Sequence, residues 1–402
     1  MIVEKGVTLL QCRAEEVQLS EGMPHVIKLF DAVTKVRKTL YAHWVVDSTG
    51  RRRLLHHQKH ERRDSNGYCN AAWFRVPGWI DVEDFVSADN VAWHERVSSE
   101  HPRGIRFGRV NSTTHLSGTG YWVWLIPLPD NVMSVGIVAQ QSLVPFDTYN
   151  SPGRMMDWLT NNEPQLAQAL VNRDMLDFRV IRGYSHSVTD FISTDRWALN
   201  GNALGFVDPF YSPGGDMISL VNLIIVEAIR RERSGATLDE AVCQRLTENM
   251  RNYQSMATDA IQSIYPCLGA SRVSGAHIVL DFVSLVAPMV GIIRGFGAQM
   301  YDFLGSEEAS RILNEHAALR KDLNQLMLSW LDGDQPYQPV GSMFDHGTKM
   351  DEVISTMWVD PAGKDIAFLA NHWLEGLKTF AEKYHTQGIE WDFFDPNVYR
   401  EH

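Results

Sequence analysis

The stretch WALNGNALGFVDPFYSPGGDMISL, residues 197–220, runs from an apolar strand through glycine-containing turns into a helix. Two small residues near the end of the strand, Gly201 and Gly205, allow the backbone to approach a ligand closely. Asn202 can bond sugar hydroxyls, and the turn after Asp208 directs the amides of a helix N-terminus outward. The stretch therefore predicts a site for an anion or a polar ring. An ordinary glycine-rich turn would have the same composition.

A second strand end also has the composition of a ligand-binding turn. WVVDSTG, residues 44–50, is an apolar strand that stops at Asp-Ser-Thr-Gly, a common way for a parallel strand to reach a nucleotide at its carboxyl end. If both strand ends face one nucleotide, they must be neighbours. We therefore predict that residues 45–50 and 199–205 lie within about two strand spacings of ~4.8 Å each.

The clearest hairpin joins residues 120–128 to residues 133–140 through a polar turn. Its first strand alternates between two apolar faces, formed by Trp122, Trp124 and Ile126 and by Tyr121, Val123 and Leu125. Such a strand is buried or lines a cavity. The tryptophan pair supplies rigid apolar walls, so we favour a cavity wall over a buried strand that happens to be aromatic.

Further elements follow from periodicity and capping. Strands are predicted at residues 7–11, 25–32, 40–47 and 196–199, and helices over 153–171 and from Gly214 onward. Ser306 is predicted to cap a further helix. A last apolar stripe is predicted to pack against the protein and not to bind a membrane: Trp373, Leu377, Phe380, Ala381 and Tyr384.

Bulk properties narrow the class of function. The chain has 402 residues and a formal net charge of -12, which argues against nucleic acid as the main partner. The longest apolar run, residues 282–293, is too short to span a bilayer. Four separated cysteines favour a reducing cytoplasm. His56 and His60 are four residues apart without an acidic or cysteine partner beside them, so no metal site is predicted.

Two ordered motifs resemble a known family. Gly-Asn-Ala-Leu-Gly-Phe-Val-Asp-Pro, residues 201–209, followed by Tyr-Ser-Pro-Gly, resembles the second flavin-binding signature of flavoprotein monooxygenases and flavin-dependent halogenases. Residues 122–127 match the W-x-W-x-I-P pattern of the halogenases, and the strand end at residues 45–51 adds to the resemblance. The resemblance covers about the first 230 residues well and the helical remainder only loosely.

The resemblance implies FAD as cofactor, with reduced flavin and oxygen acting on an apolar or aromatic small molecule. The cofactor-binding residues that it implies are Asp47, Gly50, Gly201, Asn202, Gly205, Asp208, Pro209, Ser212, Gly214 and Gly215. The substrate-cavity residues are Trp122, Trp124, Ile126 and Pro127. A separate flavin reductase is a candidate partner. No catalytic residue is assigned.

The chain departs from the family's pattern in three ways. No strand–GxGxxG–helix arrangement is found, so the chain is expected to start inside the family's FAD-binding domain and to bind flavin weakly by itself. No lysine here can inherit the role of the family's lysine that steers hypohalous acid. Pro213 stands where another residue's amide would help to hold halide, and proline has no N–H.

The expected fold class is α+β (α/β). Its predicted domains are a partial FAD-binding Rossmann-like domain at 1–66, a mainly antiparallel substrate-domain sheet at 67–195, the second FAD-binding signature and its helix at 196–232, and a helical C-terminal region at 233–402. Halogenation and hydroxylation are both open. A flavin-dependent reductase of an unsaturated lipid and a non-enzymatic fragment are two further hypotheses.

Overall fold

The computed structural model describes residues 6–22, 24–58, 68–89, 109–187, 190–286, 299–332 and 365–388. Three β-sheets and a helical C-terminal region confirm the mixed α and β class. The strands are β1 (Arg13–Gln18), β2 (His25–Phe30), β3 (Arg37–Ala42), β4 (Val45–Asp47), β5 (Cys69–Pro77), β6 (Thr114–Gly118), β7 (Tyr121–Leu128), β8 (Val132–Gln140), β9 (Asp177–Ile181), β10 (Ile192–Ser193) and β11 (Trp197–Leu199).

The helices are α1 (Leu54–Gln58), α2 (Pro152–Asn162), α3 (Pro164–Leu170), α4 (Gly214–Arg233), α5 (Glu240–Cys267), α6 (Ser271–Asp281), α7 (Met300–Leu304), α8 (Glu307–Ser329) and α9 (Ile366–Gln387). His60 and residues 287–293 of the long apolar run lie outside the described residues. The four predicted domain boundaries stay a prediction.

The first four strands belong to two three-stranded sheets, β1-β2-β3 and β10-β11-β4. β1, β2 and β3 make an antiparallel meander, while β4 pairs in parallel with β11. In that pair Val45 faces Trp197 and Asp47 faces Leu199. The prediction that the two strand ends are neighbours is therefore confirmed.

Two strand predictions in this part are wrong. Residues 7–11 form no strand, and the first strand begins at Arg13. Residues 40–47 form two strands and not one, because β3 pairs with β2 whereas β4 pairs with β11. Arg196 holds the bend between them: its Nε donates to the carbonyl of His43 at 3.0 Å, and its own carbonyl accepts from the Val45 amide at 3.1 Å.

The five-stranded antiparallel sheet has the order β6-β7-β8-β5-β9 and contains the predicted hairpin. Asp130 and Asn131 in its turn have φ of 61° and 55°, a left-handed conformation that Asp and Asn tolerate well. One face packs on α2 and α3 through the odd-numbered residues of β7: Tyr121, Val123 and Leu125. The opposite face carries Trp122 and packs on α5.

The predicted single helix over 153–171 is two helices. Glu163, which precedes Pro164, has φ of -135° and ψ of 64°, because a residue before proline avoids helical geometry. Elsewhere the helix predictions are confirmed. α4 begins at Gly214, and the Ser306 hydroxyl accepts the Ala309 amide at 3.2 Å to cap α8.

The helical region is built around buried apolar faces of its longer helices. α4 packs on α5, on α7 and on the β4–β11 pair, while α9 packs against α8. The apolar stripe of α9 is buried by these contacts at Leu377, Phe380, Ala381 and Tyr384, so the prediction that it packs is confirmed. Within the described residues, no helix is both long enough and apolar enough to cross a bilayer.

Candidate functional site

Asp47 shapes the first strand end. Its carboxylate is buried and accepts two backbone N–H groups of its own loop, from Thr49 and from Leu55, each at 2.8 Å. Its carbonyl accepts the Asn200 amide at 2.9 Å, which locks the two strand ends together. Asp47 is a predicted cofactor-binding residue, but both of its carboxylate oxygens accept hydrogen bonds from its own loop. Gly50, with φ of 63°, starts the short turn that contacts the turn after β11.

A cleft of about 260 Å³ opens beside these strand ends. Eight of the ten predicted cofactor-binding residues line it: Gly201, Asn202, Gly205, Asp208, Pro209, Ser212, Gly214 and Gly215. Gly201 has φ of 59°, which favours glycine there. One continuous segment of the sequence thus forms a single concave surface.

The N-terminus of α4 forms one wall of the cleft. Pro213 precedes the helix without a side-chain cap, so the first amides of α4 are open to an acceptor. A Cβ added at Gly214 or at Gly215 would meet no atom within 4 Å. Gly205 differs, because its added Cβ would lie 2.6 Å from Gln254 Nε2. A side chain at Gly205 would therefore displace the end of Gln254 on α5, and its Cβ would also lie 3.1 Å from the His186 carbonyl oxygen.

Asp208 is the buried anchor of the loop that follows the cleft. Its carboxylate accepts hydroxyls from Tyr184 at 2.6 Å and Tyr265 at 3.0 Å, and the Phe210 amide at 3.0 Å. Burial raises the pKa of Asp208 to about 6, and the Tyr184, Phe210 and Tyr265 bonds moderate that rise. The carboxyl group faces inward, so it holds the loop in shape.

Tyr265 connects this loop to the W-x-W-x-I-P strand. Its hydroxyl accepts the indole N–H of Trp122 at 3.0 Å while it donates to Asp208, and its carbonyl accepts the Gly120 amide at 2.8 Å. Trp122 also packs on Phe210 of the same loop, with ring centroids 5.4 Å apart. One side chain of α5 thus couples the sheet to the cleft loop.

The four predicted substrate-cavity residues have different surroundings. Trp122 is 2% exposed and packed in the core, whereas Trp124 is half-buried and donates its indole N–H to Ser134 Oγ at 3.0 Å. Ile126 and Pro127 are half-buried farther along the strand. None of the four lines the described cleft. Their role as cavity walls stays a prediction.

Sequence reasoning missed Tyr184 and Tyr265, which complete the Asp208 anchor. Neither lies in a motif, and Tyr265 is 57 residues from Asp208 along the chain. A tyrosine near the end of an amphipathic helix carries no signal of a distant carboxylate partner. Only the folded chain brings the three side chains together.

The Asp208 anchor predicts a pH-dependent stability. An aspartate carboxyl has an ordinary pKa of 3.8, and the pKa of Asp208 in the folded protein is about 6. A raised folded pKa favours folding below the unfolded pKa, and this contribution is lost as pH rises through 6. Asp208→Asn has no such titration, so wild type should lose about 2 kcal/mol relative to the variant between pH 4 and pH 7. Urea unfolding of both proteins across this range measures the difference, and parallel curves would contradict it.

Curated proteins that are similar to this chain are flavin-dependent halogenases. No protein-family model matches the chain. The flavin-dependent halogenase chlA of Dictyostelium discoideum is 27% identical over 216 residues, which cover 50% of this chain and 32% of that protein. A flavin-dependent halogenase of Armillaria mellea is 24% identical over 60% of this chain and 46% of its own length. The matches thus span about a third to a half of these relatives.

Solved structures support the same fold. Halogenase PltM matches with a TM-score of 0.60 at 13% identity, covering 90% of this chain and 71% of that one. Flavin-dependent brominase Bmp2 matches with a TM-score of 0.51 at 18% identity, covering 80% and 73% respectively. The resemblance stated from the two motifs is therefore confirmed. The chain is similar in sequence and in fold to flavin-dependent halogenases.

Proposed function

We propose that this protein is an FAD-dependent halogenase that acts on an electron-rich, apolar or aromatic small molecule. The observation that carries the proposal is the cleft, where eight residues of the flavin signature meet at the ends of two parallel strands. Ligands of α/β folds bind outside the carboxyl ends of such strands. The sequence similarity to flavin-dependent halogenases supports the same assignment.

The cleft residues fit the flavin part of FAD. Gly214 and Gly215 leave open space next to the unbonded amides of α4, whose positive helix end favours electron-rich oxygen atoms. Asn202 can bond ribityl or ribose hydroxyls. Pro209 and Ser212 border the same space. When bound, FAD supplies the reductive activation of oxygen that halide oxidation requires.

The buried network behind the cleft holds this arrangement rigid. Tyr184 and Tyr265 fix Asp208, and Asp208 fixes the backbone at Phe210. Trp122 closes the space between the loop and the sheet, so water is excluded behind the loop. A rigid, dry wall is what a reaction with a strong oxidant needs.

The names of two relatives support a substrate class. One structure of PltM contains phloroglucinol and FAD, and a Pseudoalteromonas luteoviolacea relative is named as a brominase of a pyrrole carried on a peptidyl-carrier protein. Phloroglucinol and pyrrole are both electron-rich rings. We therefore propose a ring of this kind as substrate. The family resemblance supports a separate reductase as the source of reduced flavin, and the four separated cysteines support a cytoplasmic location.

Hydroxylation is the second candidate, favoured by Pro213. A buried halide needs N–H donors to replace its lost hydration, and proline supplies none. Halogenation therefore requires the amides of Gly214 and Gly215 to hold halide by themselves.

Turnover of an electron-rich phenol with reduced FAD, oxygen and bromide separates the two reactions by product mass. We expect a brominated product, and Pro213→Thr should lower the KM for bromide several-fold because it restores an amide donor. An oxygenated product at a rate independent of bromide would assign hydroxylation. If the flavin-loaded protein forms neither the brominated nor the oxygenated product, both candidate reactions are rejected.

A further inference from the structure

Ser212 has a left-handed backbone at the edge of the cleft. Its φ is 56°, and its side chain is exposed where it lines the cleft. A residue with a Cβ disfavours this conformation, and Pro213 adds to the cost because a residue before proline prefers an extended backbone. Such a residue keeps its conformation only where surrounding contacts hold it. The contacts that hold Ser212 therefore determine the shape of this part of the cleft.

The preceding residue, Tyr211, ties the loop of residues 208–213 to α6. Its hydroxyl donates to Asp281 Oδ2 at 2.7 Å. Tyr211 does not line the cleft. The Ser212 amide donates to the Pro209 carbonyl at 2.9 Å, which closes a turn with Tyr211 inside it. A fixed Tyr211 side chain therefore fixes the turn that places Ser212.

Asp281 is a firm point of attachment for Tyr211. Its buried carboxylate pairs with the buried guanidinium of Arg320 on α8, and His277 Nδ1 lies 3.2 Å from the oxygen that Tyr211 contacts. Hydrogen bonds to a charged group are stronger than those between neutral groups. The loop is thus held at two points, at Asp208 from α5 and at Tyr211 from α6.

We infer that Tyr211 is a positioning residue for the flavin cleft, because its bond to Asp281 holds Ser212 in the left-handed conformation in which the cleft accepts the cofactor. The inference rests on the proposed function for the identity of the ligand, but not for the state of the loop. Without this bond Ser212 can relax towards an extended backbone, and the fraction of protein with a binding-competent cleft falls. The apparent affinity for FAD falls with that fraction.

The first test is a rescue of FAD binding. Tyr211→Phe removes only the hydroxyl and should weaken FAD binding by about fivefold. Glycine adopts positive φ without strain, so adding Ser212→Gly to Tyr211→Phe should recover most of the affinity. Adding Ser212→Ala should not, because alanine keeps the Cβ. Quenching of flavin fluorescence by the flavin-free full chain measures each dissociation constant. A tyrosine that only stabilised the fold would gain nothing from glycine at the next position.

The second test needs no flavin. Hydrogen exchange in the flavin-free full chain reports the opening of the turn through the Ser212 amide, and Tyr211→Phe should speed this exchange about fivefold. Tyr121→Phe is the matched control, because the Tyr121 hydroxyl also donates to a carboxylate, that of Glu163 at 2.9 Å, but lies outside the cleft. It should change neither the exchange of the Ser212 amide nor the affinity for FAD.

The two tests separate this inference from the proposed function. Unchanged exchange of the Ser212 amide in Tyr211→Phe would overturn the inference. So would a Tyr211→Phe, Ser212→Gly protein that binds FAD as weakly as Tyr211→Phe alone. If Tyr211→Phe speeds exchange but wild type binds no FAD, the proposed flavin site is rejected while the role of Tyr211 in holding the loop is supported.

Discussion

Arg320→Met is expected to lower the free energy of unfolding by about 3–5 kcal/mol, the largest stability effect that we predict. Arg320 and Asp281 form an ion pair in the core of the helical region, with 1% and 0% of their side chains exposed. Arg320 also donates to Ser284 Oγ at 2.6 Å and to Asn324 Oδ1 at 2.9 Å. Methionine keeps much of the volume but leaves the Asp281 carboxylate buried without its main counter-charge.

The pH dependence of this loss identifies its cause. Burial would raise the pKa of Asp281, and Arg320 and then His277 overcome that effect and lower it. Without Arg320 the burial effect is opposed only by His277 and by the Tyr211 hydroxyl, so the pKa of Asp281 should rise. A raised folded pKa adds stability at low pH that is lost as pH rises. The deficit of Arg320→Met should therefore be larger at pH 8 than at pH 5 in urea unfolding.

Arg311→Met is the control on the same helix. Arg311 pairs with Glu315 at 2.7 Å, but the two side chains are 49% and 39% exposed. An exposed pair of this kind contributes about 0–1 kcal/mol, so the control should stay within that range. Adding Asp281→Asn to Arg320→Met should recover part of the loss, because it removes the unpaired charge. Equal losses for Arg311→Met and Arg320→Met would show that the buried pair is not important for stability.

Gly215→Leu is expected to have the largest effect on cofactor binding, weakening FAD by at least about tenfold with little change in stability. Gly215 is the second residue of α4 and lines the cleft, and an added Cβ meets no protein atom within 4 Å. A leucine side chain therefore begins in open space and takes up room in the cleft proposed for the flavin. Quenching of flavin fluorescence during titration with the protein measures the affinity.

Gly153→Leu is a closely matched control for this change. Gly153 is the second residue of α2, and its added Cβ likewise meets nothing within 4 Å, but it lies outside the cleft. Its variant should bind FAD as wild type does, and both variants should melt at similar temperatures. Unchanged FAD affinity in Gly215→Leu would remove the cleft from consideration as the flavin site.

Much of the fold was accessible from local patterns. Alternation identified the hairpin of β7 and β8, and Ser306 identified the start of α8, because both depend on residues close together in the chain. The predicted strand over residues 40–47 failed, because its two halves pair with different sheets. The break between β3 and β4 depends on Arg196, which is more than 150 residues away along the chain.

The sequence by itself determined where the cleft would form, since eight of its lining residues lie in one segment between Gly201 and Gly215. A strand end, glycines and a helix start are local features, and local geometry places them together. Only the tertiary structure decided what stands behind the cleft. Trp122, Asp208 and Tyr265 come from three separate elements, and their hydrogen bonds exist because packing removes water from between those elements.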